Sequence, residues 1–311
     1  MNKKIDIIIP TTGKRIIQLE ECIESLKQQT QPVNIVIVLG TVQPKTKNVI
    51  EELCRKNKCK LLIEPYKNVK GSHRAVACNF GLQNTKSEFV GFVDDDVTVP
   101  PTWAEASLKH FEDSKFVAGV TSGCKSSNSP FHRVQLIGSD SHSKNFQTAI
   151  QVKSIPGYNS IYRRIAINAV GNFNEQIGGC EDWELNYRLR GASWTLLGIS
   201  EVPVEHRHTY TQQSFMEQMI GYGWSRSRLL RTKQIFTPMH AVPTIGMFIL
   251  PLLLFLNINF LFYALGTYII LLIILTLHIG VLGIKDFAQV VSTFIIMHLA
   301  WGYGYLKGLI M

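Results

Sequence analysis

The sequence predicts an α/β protein in which a mainly parallel, Rossmann-like sheet is flanked by helices and followed by an α-helical transmembrane region. Three observations carry this. Short β-branched runs alternate with segments of helical spacing over the first hundred residues, an order that implies right-handed crossovers and parallel strands. One of those runs, Phe89 to Val93, ends in Asp94-Asp95-Asp96, and sheets of this kind bind ligands beyond the carboxyl ends of their strands. Finally, residues 234–284 and 287–306 contain no Asp, Glu, Lys or Arg, whereas roughly 20 apolar residues are enough for a helix to cross the hydrocarbon layer.

Taken in order, Ile5 to Ile9 is a strand broken by Pro10, and Glu20 to Lys27 is a helix whose apolar positions Leu19, Cys22, Ile23 and Leu26 share one face. Asn34 to Leu39 is a second strand, Val49 to Cys54 part of a second helix, and Lys60 to Ile63 a third strand ending at Glu64. A helix carrying Ala75, Cys78, Asn79 and Leu82 leads to the fourth strand, Phe89 to Val93. Beyond Asp96 the pattern loosens: Trp103 to Phe111 reads as helix, Phe116 to Thr121 as strand, and the Ser-rich stretch Cys124 to Lys153 as loops or irregular strands. Ser160 to Ala169 is predicted helical after Pro156-Gly157. Asp182 to Arg190 is another helix, whose acidic start suits its dipole. Glu201 to Glu205 is strand-like and precedes His206 and His208.

The division falls into a globular domain over residues 1–210, an amphipathic interfacial segment over 211–236 and a transmembrane region over 237–311 with about three helices. The interfacial helix, Gln212 to Lys233, sets Phe215, Met219, Ile220, Leu229 and Leu230 among basic residues, and Gly221 and Gly223 weaken it. The three apolar blocks are Ala241 to Leu256, Phe260 to Ile279 and Phe287 to Met311; Pro243 and Pro251 leave a re-entrant hairpin open for the first. Arg226, Arg228, Arg231 and Lys233 before the first block, with Lys285 between the second and third, are cytoplasmic by the positive-inside rule. The expectation is a multi-pass cell-membrane protein with its globular domain in the cytoplasm. The net charge of +9 lies almost wholly before residue 234, so anionic lipid head groups or nucleotide diphosphates are favoured partners. No helix-turn-helix, zinc-finger or aromatic RNA-binding signature accompanies the charge, and nucleic acid is not expected. The six cysteines lack a paired spacing and read as free thiols, while the apolar run after Lys4 is too short for a signal peptide.

Chemistry concentrates at two acidic sites. Three adjacent carboxylates repel one another, and a divalent cation with oxygen ligands relieves that repulsion while bridging to phosphate oxygens; a solvated acidic turn is the plain alternative. Glu181-Asp182 opens a helix and reads either as a local cap or as a proton acceptor. One carboxylate site for a metal and one for a base is the division that sugar transfer with inversion requires.

The order Ile7-Ile8-Ile9-Pro10-Thr11, Gly71 with Ala77-Cys78-Asn79-Phe80-Gly81, Asp94-Asp95-Asp96, Gly157-Tyr158-Asn159, Gly171-Asn172-Phe173-Asn174-Glu175 and Glu181-Asp182 resembles the inverting family 2 glycosyltransferases of GT-A fold. The resemblance spans roughly residues 5 to 210. It implies a nucleotide-sugar donor and a divalent metal, Mn2+ or Mg2+, with Pro10 and Thr11 bordering the nucleotide pocket and Asp94 contacting the nucleoside, with Asp95 beside it. It further implies Asp96 as the metal-binding carboxylate, Asp182 as the catalytic base with Glu181 alongside, and Gly157 and Asn159 near the donor sugar; for Asn159 a turn role after Pro-Gly reads equally well. His206 is the candidate to complete the metal site, and a hydrogen-bonded structural histidine is its alternative.

Two positions depart from the family pattern. No Asp follows the second strand in Val38-Leu39-Gly40-Thr41, so Glu64 is the substitute for holding the base. Cys78 stands where an Arg usually precedes Asn79, so Arg74 or Lys70 is left for the pyrophosphate. The expected reaction moves a hexose from a GDP- or UDP-sugar to a lipid-linked or polyprenyl-phosphate acceptor. A sugar-phosphate nucleotidyltransferase is the enzymatic alternative, for which Thr11-Thr12-Gly13-Lys14-Arg15 is a poor phosphate loop; a non-catalytic membrane scaffold or lipid-carrier binding protein is the other. The sequence assigns no oligomeric state.

Overall fold

In the computed structural model, described for residues 4–40, 44–65, 73–112, 114–125, 129–136, 149–207, 210–233, 235, 237–278 and 283–311, the chain divides into two units. One comprises residues 1–125 and 140–208, the other 126–139 and 209–311. Lys70, Gly71 and His208 lie outside the described residues.

The first unit begins with β1 (Ile5–Thr11), α1 (Ile16–Lys27), β2 (Asn34–Leu39), α2 (Pro44–Asn57), β3 (Lys60–Ile63), α3 (His73–Gln83) and β4 (Phe89–Val93). β1 pairs in parallel with both β2 and β4, and β2 with β3. β1 and β4 are buried almost throughout, as strands covered on both faces must be, and this is why they read as continuous Ile and Val runs. The two-residue period still sorts them. Ile5, Ile7 and Ile9 pack with Leu19, Cys22, Ile23 and Leu26 of α1, whereas Ile8, Val36 and Val38 pack with Ala75, Cys78 and Leu82 of α3.

The chain continues through β5 (Val97–Thr98), α4 (Trp103–Lys109), β6 (Val117–Cys124), α5 (Pro130–Leu136), β7 (Ile150–Gln151), β8 (Asn159–Arg163), α6 (Arg164–Ala169), α7 (Glu181–Gly191) and β9 (Thr195–His206). The sheet runs β3-β2-β1-β4-β8-β6-β9-β5, with β7 on β9. One expectation is corrected here. The predicted helix Ser160 to Ala169 is a strand through Arg163 and helical only from Arg164. β8 wedges antiparallel between β4 and β6, so Asn159 to Tyr162 are all buried and show no alternation to distinguish strand from helix. The reversal has a functional consequence, because it brings the start of β8 beside the end of β4. Within Cys124 to Lys153, expected to be irregular, α5 and β7 are regular elements.

At the amino-terminal end of β1, Asp6 accepts hydrogen bonds from Asn34 Nδ2 (2.9 Å) and the backbone amides of Lys86 (3.1 Å) and Ser87 (2.8 Å), and faces Arg164 Nη2 at 3.3 Å. Burial alone would raise its pKa, but these hydrogen bonds and the Arg164 charge outweigh burial and hold it below the usual 3.8. Asp6 therefore contributes stability that is present above the unfolded value and is lost as pH falls through the folded one. Asp6→Asn, which leaves Arg164 without its carboxylate, is expected to cost about 3 kcal/mol at pH 7. In denaturant titrations the gap from the parent should shrink toward acid; a gap independent of pH would contradict the assignment.

The second unit contains α5, α8 (Gln212–Lys233), α9 (Pro238–Leu256), α10 (Ile258–His278) and α11 (Ile284–Ile310). Among the described residues two helices, α9 and α10, are long and apolar enough to cross a membrane. α11 is helical too, but it carries Gln289, Ser292, Thr293 and His298 within its length and buries Ala300, Gly302, Gly304 and Gly308. α9 runs as one helix through Pro243 and Pro251 rather than as a hairpin. Gly223 of α8 and Gly304 of α11 account for the close approach of these helices: an added Cβ would lie 2.2 Å from Trp301 O in the first case and 2.1 Å from Ile220 O in the second. Gly223 thus serves packing, while Gly221 faces open space.

Candidate active site

The carboxyl ends of β1 and β4, the start of β8 and the end of β9 converge on the Asp94-Asp95-Asp96 turn. Asp95 is 2% exposed; Thr11 Oγ1 donates to its Oδ2 at 2.6 Å and Arg15 Nη2 lies 2.7 Å from its Oδ1. Burial raises the pKa of Asp95, with Thr11 and Arg15 opposing and the flanking carboxylates adding. Asp96, 1% exposed, pairs with Arg15 Nη1 through Oδ2 and faces His206 Nε2 through Oδ1 at 3.1 Å. Backbone pairing fixes that last contact, since Val97 is in register with His206 and the Arg207 amide donates to Asp96 O at 2.8 Å. The His206 ring is further held by stacking on Tyr158, with centroids 4.6 Å apart.

Ligand atoms of Asp94, Asp96 and His206 all lie within 4.8 Å of one another. Two carboxylates and an imidazole form a donor set suited to Mn2+ or Mg2+. The residues therefore fit the metal that the sequence resemblance implies, with Asp94 added to the expected pair Asp96 and His206.

The second acidic site is tied to the first. Cys180 takes a left-handed conformation (φ 58°, ψ 30°) immediately before α7, and Asp182 then accepts from the Gly157 amide at 3.0 Å and the Trp183 amide at 2.7 Å. Buried Glu181 has its pKa raised by burial, with Asp182 adding and Arg74 opposing. Arg74 spans the gap: it donates to Asp94 Oδ1 (3.0 Å), Glu181 Oε1 (3.3 Å) and Gly157 O (2.6 Å). An added Cβ at Gly157 would sit 2.6 Å from Arg74 Nη1, so Gly157 is the residue that lets the guanidinium lie between the two carboxylate sites.

Other expected site residues fare differently. Pro10 and Thr11 end β1, in register with Val38 and Leu39 of β2. Glu64 is 7% exposed, and its amide donates to Leu39 O at 2.9 Å. A Cβ at Gly40 would lie 4.0 Å from its Oε2, so the Glu64 carboxyl stands in the space left by the missing side chain after β2. Burial raises its pKa and Glu175 adds to the rise. Two residues have their side-chain amides engaged within the protein. Asn79 exchanges hydrogen bonds with the Phe173 backbone and donates to Glu175 Oε1 at 2.7 Å, so its amide is committed to the 173–175 segment. Asn159, fully buried on β8, accepts from Trp103 Nε1 and donates to Ser122 O and Oγ, while its backbone amide donates to Pro156 O at 3.4 Å and closes the turn over Gly157-Tyr158. Arg15 and Tyr158 were not singled out as ligand-site residues from sequence, because only the fold brings Arg15 onto Asp95 and Asp96 and Tyr158 onto His206.

This geometry has relatives. A pre-mycofactocin glycosyltransferase of Mycobacterium tuberculosis is 29% identical over 161 residues, which cover 50% of this chain; the chain spans only 34% of that relative's length. The mannosyltransferase PcManGT of Pyrobaculum calidifontis, solved with GDP-Man and Mn2+, shares the fold at a TM-score of 0.68 and 13% identity, covering 98% of this chain and 86% of that one. S. aureus TarS follows at a TM-score of 0.50 and 18% identity over 73% of this chain and 40% of its own. Residues 6–171 match the model of Glycosyl transferase family 2, and the chain accordingly belongs to glycosyl transferase family 2, with a GT-A fold.

Proposed function

We propose that the chain is a metal-dependent inverting glycosyltransferase that moves a hexose from a GDP- or UDP-sugar onto a lipid-linked acceptor at a membrane surface. The observation that carries the reading is the pairing of a cation-ligand set, Asp94, Asp96 and His206, with the Glu181-Asp182 pair, bridged by Arg74. Bound at that set, a divalent cation supplies positive charge against the leaving diphosphate.

Asp182 accepts the proton of the acceptor hydroxyl as that oxygen attacks the anomeric carbon from the face opposite the nucleotide. Its carboxylate is oriented for this by the Gly157 and Trp183 amides. Glu181, held by Arg74, orients the start of α7 and is not itself the base. Pro10, Thr11 and Glu64 border the nucleoside at the ends of β1 and β3, and Arg74 offers its guanidinium to the diphosphate. α9 and α10 anchor the chain in the bilayer, with the basic run Arg226 to Lys233 on the cytoplasmic side. The anchor keeps the site within reach of an acceptor that cannot leave the membrane.

The GDP-Man and Mn2+ carried by the Pyrobaculum neighbour support a donor and metal of this class. The test is a thermal-shift screen of the purified chain against GDP- and UDP-hexoses with and without Mn2+, followed by transfer to polyprenyl phosphate. Stabilisation by one nucleotide series only when Mn2+ is present is expected. Absence of any Mn2+-dependent donor binding would remove the reading.

A further inference from the structure

Glu64 is a buried acid that the protein itself leaves without a donor. It follows β3, where its amide donates to Leu39 O at 2.9 Å, and the Gly40 amide donates in turn to Thr11 O at 3.0 Å. Thr11, Gly40 and Glu64 thus stand side by side at the carboxyl ends of β1, β2 and β3. A Cβ on Gly40 would lie 3.8 Å from Thr11 O and 4.0 Å from Glu64 Oε2, so the glycine sets no side chain between its neighbours. Among the described residues no hydrogen bond or ion pair reaches the Glu64 carboxyl. The charge that acts on it is another carboxylate, Glu175, which adds to the rise in pKa caused by burial. Asn79 Nδ2 is committed to Glu175, at 2.7 Å. A buried carboxyl in this condition costs free energy, which a ligand bringing hydrogen-bond donors recovers.

An ionised carboxyl only accepts, and it accepts at two oxygens in one plane. Its complement is a flat edge with two N–H donors side by side. Among the common nucleobases guanine has that edge, in N1–H and the N2 amino group. Uracil offers one N–H between two carbonyls, and adenine and cytosine each set an amino group beside an acceptor nitrogen. With any of these three, one Glu64 oxygen would face a lone pair, and the charge of Glu175 adds to that repulsion. Guanine instead forms a two-pronged, charge-assisted contact, and its donors favour the ionised form of the acid.

We propose that Glu64 is the residue that selects the nucleobase and that it selects guanine, its two carboxylate oxygens accepting from N1–H and the N2 amino group of a guanosine diphosphate sugar. The inference rests on the nucleotide-sugar reading of this site and narrows the donor from two nucleotide series to one. Discrimination of this kind is strong, because a base without the paired donors leaves a buried acceptor unmatched.

The experiment is calorimetric titration of the full chain in detergent, with Mn2+ present, against GDP, inosine diphosphate, xanthosine diphosphate and UDP, for the parent and Glu64→Gln. Inosine lacks the 2-amino group, and xanthosine carries a carbonyl in its place. The parent is expected to bind GDP about tenfold tighter than inosine diphosphate and about a hundredfold tighter than xanthosine diphosphate or UDP. A glutamine amide accepts from N1–H and donates to the xanthine carbonyl, so Glu64→Gln should lose about a hundredfold for GDP and gain about tenfold for xanthosine diphosphate. A merely structural Glu64 would weaken all four ligands together and keep their order, and that result overturns its role. Should Glu64→Gln fail to fold, the ranking of the four ligands by the parent carries the test. GDP and inosine diphosphate within about twofold of each other, or UDP bound as tightly as GDP, overturn the choice of guanine while leaving the nucleotide-sugar reading standing; the second result is the one a protonated carboxyl, with one donor and one acceptor, would give. No binding of any of the four by the parent overturns that reading and this inference with it.

Discussion

Asp182→Asn is expected to lower the rate of sugar transfer by about a thousandfold while leaving donor binding nearly unchanged, the effect proper to loss of a general base. The amide keeps the shape of the carboxylate and can still accept at its oxygen from the Gly157 or Trp183 amide, which lie 3.0 and 2.7 Å away in the parent. It cannot take up a proton at pH 7. Glu181→Gln provides the contrast. Glu181 is buried and faces Arg74 at 3.3 Å, so its substitution frees one arm of the guanidinium that also holds Asp94. That variant should weaken donor affinity and melt earlier, with a smaller loss of turnover. Single-turnover rates and donor dissociation constants for the pair separate the roles. Full turnover in Asp182→Asn would move the base elsewhere, and a greater loss of turnover in Glu181→Gln would exchange the two assignments.

The parts of the fold legible in the sequence are those whose physics is local. β2, β3 and β4 lie at their expected bounds because each is a short β-branched or apolar run ended by a polar or glycine residue. β8 was illegible as a strand because its surroundings, not its own pattern, make it one: with β4 on one side and β6 on the other, no alternation remains. The site divided along the same line. The carboxylates of Asp94 to Asp96 and of Glu181-Asp182 announce themselves by clustering at element ends. By contrast, Arg15 looks like a surface charge in sequence, and Arg74, expected at the pyrophosphate, gives no sign there of its place beside Asp94 and Glu181; only the fold carries the two to Glu181 and to Asp95 and Asp96. Asn79 and Asn159 stand in motifs that the sequence displays, but their partners could not be read there. Here the amide of each is spent on joining segments of the protein. The third apolar block is helical as α11, and composition gives no sign that its Gly304 and Gly308 are packing surfaces for α8.

Asp96→Asn is expected to abolish the Mn2+ dependence of donor binding and to cost transfer on the order of a thousandfold, several kcal/mol of charge stabilisation. Asp96 joins three things: the His206 ring at 3.1 Å, the Arg15 guanidinium, and, through its backbone carbonyl, the Arg207 amide at 2.8 Å. The backbone contact survives the substitution, so the turn should keep its course and the variant should fold. What is lost is one of the two carboxylates in the cation set, leaving Asp94 and His206. His206→Ala should fall between parent and Asp96→Asn, since it removes a neutral ligand rather than a charge and leaves both carboxylates in place. The order of Mn2+ affinities, parent above His206→Ala above Asp96→Asn, is therefore fixed by charge. Equal affinities in all three would show that the cation sits elsewhere. Because Asp182 lies at the other end of the Arg74 bridge, Asp182→Asn should retain the affinity of the parent, and a large loss of Mn2+ in that variant would mean that the two acidic sites form a single metal centre.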